Sequence, residues 1–115
     1  MTKFEELMAQ LHTEYLDSLP DKLNELESSV KLGEIEGLRE DFHKLKGTGK
    51  TYGFPEISQV GELVERVLLQ QPNKFSQIVP VAISLLRKIH QERQISPSFD
   101  LDGDGRFNEI RALAQ

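Results

Sequence analysis

Apolar residues recur at three- and four-residue intervals along nearly the whole chain, and only short punctuation breaks the pattern. Phe4, Leu7, Met8 and Leu11 form a first stripe, and Tyr15, Leu19, Leu23, Leu26 and Val30 continue it until Gly33. Two helices, or one bent helix, satisfy this stretch. Pro20 should kink it or mark its effective start, with Asp17 or Ser18 placed to cap a turn. Ile35, Leu38, Phe42 and Leu45 then define a helix from about Glu34 to Tyr52, which Gly53-Phe54-Pro55 closes. Ile57, Val60, Leu63, Val64, Val67 and Leu68 make the next stripe, ending near Gln71-Pro72-Asn73. The last runs through Phe75, Ile78, Val79, Ala82, Leu85, Leu86 and Ile89, with Pro80 bending it or placing its start.

No alternating strand pattern and no internal repeat competes with these helices. Connections this short favour antiparallel neighbours. The expectation is an all-α, up-and-down four-helix bundle over residues 1–94, with residues 4–12 as a short leading helix. Residues 95–115 change character through Pro97, Asp100, Asp102, Gly103, Asp104 and Gly105, and are expected to form a separate tail or short appended helix.

Charge and composition remove several function classes. Lys plus Arg number 14 against 19 Asp plus Glu, a formal charge of −5, which disfavours a general nucleic-acid binder. The chain has no cysteine, so it has no disulfide, no thiolate nucleophile and no Cys-bearing metal site. No apolar run approaches a membrane span, and Glu5, Glu6, Glu14 and Asp17 interrupt the continuous apolar core that a signal peptide needs. A cytoplasmic monomer is expected.

One histidine stands apart. On a helical wheel with Ile35 at zero, Leu38, Phe42 and Leu45 fall at about 300, 340 and 280 degrees, whereas His43 falls at about 80 degrees. Lys46, Arg39 and Lys50 lie at about 20, 40 and 60 degrees, and Gly47 at about 120 degrees. His43 is therefore expected on the solvent side, flanked by three cations and a glycine. An exposed imidazole is a nucleophile for a phosphoryl donor, and the cations can stabilise the negative charge that such a reaction brings. Gly47 and Gly49 weaken the helix, a cost with a use where another protein must approach the ring.

The run His43-Lys44-Leu45-Lys46-Gly47-Thr48-Gly49-Lys50-Thr51-Tyr52-Gly53-Phe54 resembles the phosphoacceptor helix of histidine phosphotransfer domains, whose pattern is His-x-Leu-Lys-Gly followed by small residues and a later Gly. It is especially similar to the His-containing N-terminal domain of chemotaxis histidine kinases, where the run ends in aromatic-Gly-Phe. Tyr15-Leu16-Asp17-Ser18-Leu19-Pro20-Asp21-Lys22-Leu23 looks like that family's second helix, so the resemblance covers roughly residues 4–92. It implies that His43 takes the phosphoryl group, that Lys46 is its electrostatic neighbour and that Gly47 lies under the docking partner. It also implies that Glu65 orients the imidazole, with Glu62, one turn earlier, as the competing carboxylate. Arg39 and Lys50 would join the docking face, Lys50 being a departure from the family's usual small residue. The implied partners are a response-regulator receiver domain and a histidine kinase. No cofactor is expected on this chain; the Mg²⁺ of the reaction would sit on the receiver. Two other classes stay in view: a bundle that only docks or inhibits a kinase or response regulator, and an unrelated helical adaptor.

Two further motifs fail on inspection. Gly47-Thr48-Gly49-Lys50-Thr51 matches the end of a phosphate-binding loop, but Lys44 occupies the place of the first glycine and no strand precedes it. Asp100, Asp102, Asp104, Gly105 and Phe107 follow calcium-loop spacing, yet Arg111 stands where the bidentate glutamate belongs and Glu109 comes two residues early. A capped turn leading into a short Phe107–Ala114 helix, or an interdomain linker, is the simpler expectation there. His12, His43 and His90 fall on separate helices without metal-ligand spacing.

Overall fold

The computed structural model describes residues 1–115; its regular structure is all helix, with no strand, and residues 94–104 form an irregular connection. The helices are α1 (Lys3–Leu32), α2 (Ile35–Thr51), α3 (Pro55–Gln70), α4 (Phe75–Arg93) and α5 (Gly105–Leu113), with a short 3₁₀ turn at Pro72–Lys74 before α4. α1 packs on α2 and α4, and α3 packs on the same two from the other side. The pairs His12–Tyr52 and Lys22–Asp41 run α1 against α2, Arg87–Glu27 runs α4 against α1, and Arg93–Glu56 runs α4 against α3. Between α1 and α2 and between α3 and α4 a residue early in one helix thus meets one late in its partner, and the bundle is antiparallel as the short connections require.

The separate leading helix is not formed: α1 is one continuous helix of 30 residues with Pro20 inside it. Thr2 starts it by accepting the Glu5 N–H at 3.1 Å, and Gly33, at φ +68°, ends it in the left-handed conformation. An interior proline costs a helix about 3 kcal/mol. Here Leu16, Leu19, Leu23 and Leu26 form one buried stripe running past Pro20, and burial at roughly 1.5–3 kcal/mol per side chain outweighs that cost. Tyr15–Leu23, which resembles a second helix, is accordingly the middle of the first. α1 is about 45 Å long, well beyond its partners, and residues preceding His12 project past the bundle with Phe4 and Leu7 exposed. Pro80 likewise lies inside α4, which starts at Phe75.

The core gathers the inward stripes of all four bundle helices, and it does not stop at residue 94. Leu101, Phe107 and Ile110 are buried in the same cluster as Phe42, Val64 and Leu86, because α5 lies across α3 and α4. The appended helix is present, as Gly105–Leu113, but its apolar face is shared with the bundle. Asp104 caps it by accepting the Arg106 N–H at 2.8 Å, and the Arg106 guanidinium holds the Asp104 carboxyl below the usual carboxylate range. Asp102 pairs with Arg111 at 3.1 Å. Two of the three aspartates of the calcium-like spacing, Asp102 and Asp104, thus serve a cap and two ion pairs, and no group of three His, Cys, Asp or Glu side chains is arranged to hold a metal ion.

Candidate functional site around His43

α2 turns Leu38, Phe42 and Leu45 into the core, and this rotation leaves the His43 side chain 64% exposed. The ring is anchored on one side only. Its Nδ1 lies 2.5 Å from Glu65 Oε2 on α3, and the Glu65 side chain is just 9% exposed. A carboxylate only accepts, so Nδ1 carries the proton and donates it; in the neutral ring the lone pair is then on Nε2. Lys46 Nζ stands 3.4 Å from the other carboxylate oxygen, so Glu65 bridges the imidazole and an ammonium one helical turn away.

Glu62 does not compete for the ring. It pairs instead with Arg66 at 3.6 Å along α3. The three expected cations also separate. Arg39 donates from Nε to Glu36 at 2.8 Å, one turn earlier on the same helix, and this bond holds Glu36 below the usual carboxylate range and raises Arg39. Lys50 is exposed beyond Lys46, and the two line one shallow hollow with Ser58 and Gln59. Of the three, only Lys46 is in contact with Glu65, whose charge acts on Arg39 from farther off.

Gly47 and Gly49 have opposite surroundings. A Cβ on Gly47 would meet nothing within 4 Å, so that flank is open, whereas a Cβ on Gly49 would lie 2.8 Å from Ser58 N and 2.9 Å from Phe54 O. Gly49 lets α3 come close. Ser58 Oγ accepts the Lys50 N–H at 2.5 Å in the same contact, a role that the sequence pattern did not mark. The run from Gly47 to Thr51 is helical, so its backbone N–H groups are turned to the helix and, at Lys50, to Ser58 Oγ rather than to a phosphate cradle.

The other histidines have different settings. His12 Nδ1 bonds Tyr52 O at 2.8 Å, and its ring stacks on Phe54 at 4.3 Å. His90 faces Gln94 near the end of α4. Beside Phe54, Glu56 and Arg93 form a buried ion pair that sequence reasoning missed, because its members are 37 residues apart.

These features define a class: an antiparallel helical bundle that displays one histidine at mid-helix, held at Nδ1 by a carboxylate and open at Nε2. Residues 10–95 match the family model described as "Hpt domain", and the chain belongs to that family, whose role is histidine phosphotransfer. No curated protein and no solved structure matches the chain. No helix is long and apolar enough to cross a membrane.

Proposed function

We propose that this protein is a phosphorelay intermediate that carries a phosphoryl group on Nε2 of His43. The observation that supports this most directly is the half-anchored ring: Nδ1 bound to Glu65 at 2.5 Å, with most of the side chain in solvent. In the reaction the Nε2 lone pair attacks the phosphorus of a receiver-domain phosphoaspartate or of a kinase-bound donor. The N–P bond forms as the P–O bond breaks, and the electron pair leaves with the aspartate carboxylate or the donor's leaving oxygen. The ring becomes positive, its proton stays on Nδ1, and Glu65 stabilises that charge. Lys46 offsets the charge of the incoming phosphoryl group, and the open flank at Gly47 admits the partner. Arg39 and Lys50 add positive charge to the docking face. A second receiver's aspartate then takes the phosphoryl group by the reverse displacement, with Mg²⁺ on the receiver.

The partners on this reading are receiver domains and a histidine kinase in the cytoplasm, and the chain acts as a monomer. The His-x-Leu-Lys-Gly run together with Tyr52-Gly53-Phe54 favours a chemotaxis-type kinase system. Incubation with the cognate phosphorylated receiver, or with the cognate kinase and ATP, should place one acid-labile phosphoryl group on the chain, read by intact mass and phosphopeptide mapping. His43→Gln should abolish it with the helical spectrum unchanged. Lys46→Ala should slow transfer, and Gly47→Leu should weaken docking despite its better helix propensity. Stoichiometric phosphate on another residue, with His43→Gln fully active, would defeat the proposal; binding of a receiver without any labelling would favour a docking or inhibitory module.

A further inference from the structure

α3 comes close to the backbone of α2 at the turn that carries His43. A Cβ added to Gly61 would stand 2.7 Å from Lys46 N, 2.8 Å from Phe42 O and 3.1 Å from Lys46 Cα. All three are main-chain atoms of the turn that carries His43, so no side-chain rotation relieves the contact. Gly61 lies four residues before Glu65, one turn away on the same face of α3. The second close approach, Gly49 against Ser58 N and Phe54 O, lies nearer the α2–α3 turn. Two glycines, one on each helix, thus fix the separation of α2 and α3 at two levels.

That separation bears directly on the ring. Glu65 reaches His43 Nδ1 at 2.5 Å and Lys46 Nζ at 3.4 Å. Hydrogen bonds of this kind fade beyond about 3.2 Å, so an outward shift of α3 by about 1 Å would break the first contact and end the second. We infer that Gly61 is a positioning residue for His43: by admitting the α2 backbone it sets the reach of Glu65, and through Glu65 the nitrogen that holds the ring proton. Its consequence for transfer rests on His43 being the phosphoacceptor, while the effect on the proton does not.

The test is ¹⁵N NMR of the full chain labelled at histidine, at alkaline pH where imidazoles are neutral. In the wild type His43 should be predominantly the Nδ1–H tautomer. In Gly61→Ala the proton should move toward Nε2, and phosphorylation by the cognate donor should slow by about ten- to a hundred-fold, the scale of loss when a metal-bound histidine loses the partner that orients it. Gly37→Ala is the control, since its Cβ would meet only Glu34 Cβ, at 3.9 Å, and it should leave the tautomer unchanged. Glu65→Asp shortens the arm by one methylene without touching the helix contact, and should move the tautomer the same way even where Gly61→Ala folds poorly. A wild-type tautomer in a folded Gly61→Ala, or in Glu65→Asp, would overturn the inference. If the tautomer shifts as expected while the wild type never takes phosphate, the positioning role stands and the relay reading fails.

Discussion

Two places in this bundle combine a histidine, a glutamate and a cation, and they use them in opposite ways. At His43 only the carboxylate is buried; the ring and Lys46 reach into solvent. Around Phe54, at the α2–α3 turn, both charges are buried: the Glu56 and Arg93 side chains are 5% and 6% exposed. Arg93 also lies 4.5 Å over the Phe54 ring, donates to Gly53 O at 3.0 Å and reaches Ser96 O, while Glu56 accepts the Phe99 N–H at 3.0 Å. His12 stacks on the same ring. Both buried charges find their partners within the fold and no fully buried polar atom is left unbonded, so the cluster ties α1, the turn, α4 and the tail together. At His43 one nitrogen is left without a protein partner, and that nitrogen is what a phosphoryl donor can meet.

The largest expected effect comes from breaking the buried cluster. Arg93→Ala leaves the Glu56 carboxylate without its ion pair in the interior, a change that costs about 3–5 kcal/mol. Set against a total stability of about 5–15 kcal/mol, this should lower the denaturation midpoint sharply. Hydrogen exchange should also quicken at Phe99, whose N–H depends on the same carboxylate. A loss below about 1 kcal/mol would mean that the pair behaves like a surface ion pair, and the contrast with His43 would lose its basis.

Next is the tail. The sequence suggests that residues 97–115 can be removed with little effect, yet Phe107 is 3% exposed and shares the bundle core. Phe107→Ala should cost about 3 kcal/mol, the lower end for a buried Phe because α5 is a short edge helix with room to settle. Comparing urea midpoints of the variant and the parent measures it. An unchanged midpoint would restore the tail as an appendage and confine the anchoring network to Arg93, Glu56 and their neighbours.

The difference between what could and could not be read from the sequence follows from range. The leucine stripe of α1 and the direction of His43 are local, and wheel geometry finds both. Pro20 misleads for the same reason: its helix-breaking cost is local, while the burial of Leu16, Leu19 and Leu23 that overrides it is tertiary. A wheel also gives where a side chain starts, not where it ends. Arg39 points toward the His43 side but finishes on Glu36, a partner at i−3 that the sequence offers and the wheel does not rank. Glu62 and Glu65 are equally eligible by spacing; the resemblance favours Glu65, which is the one that reaches Nδ1. Glycine within the apolar run of α3 was a readable signal of close packing, although its partner, the backbone from Phe42 to Lys46, was not.

The smallest expected effect on stability lies at the proposed site. Glu65→Gln keeps the shape of the side chain, and its amide oxygen still accepts the Nδ1–H, so the ring retains a partner. The substitution removes the attraction to Lys46, whose side chain is 42% exposed and therefore well screened, and it also removes the cost of holding a charge in a largely buried setting. These terms oppose each other, and the change in unfolding free energy should stay below about 1 kcal/mol. Phosphoryl transfer should respond more strongly, because a neutral amide does not stabilise the positive ring formed when Nε2 is substituted. Urea denaturation and labelling on one preparation separate the two readouts. A stability loss as large as that of Arg93→Ala, with transfer unaffected, would make Glu65 a structural anchor like Glu56 and remove the distinction between the two clusters.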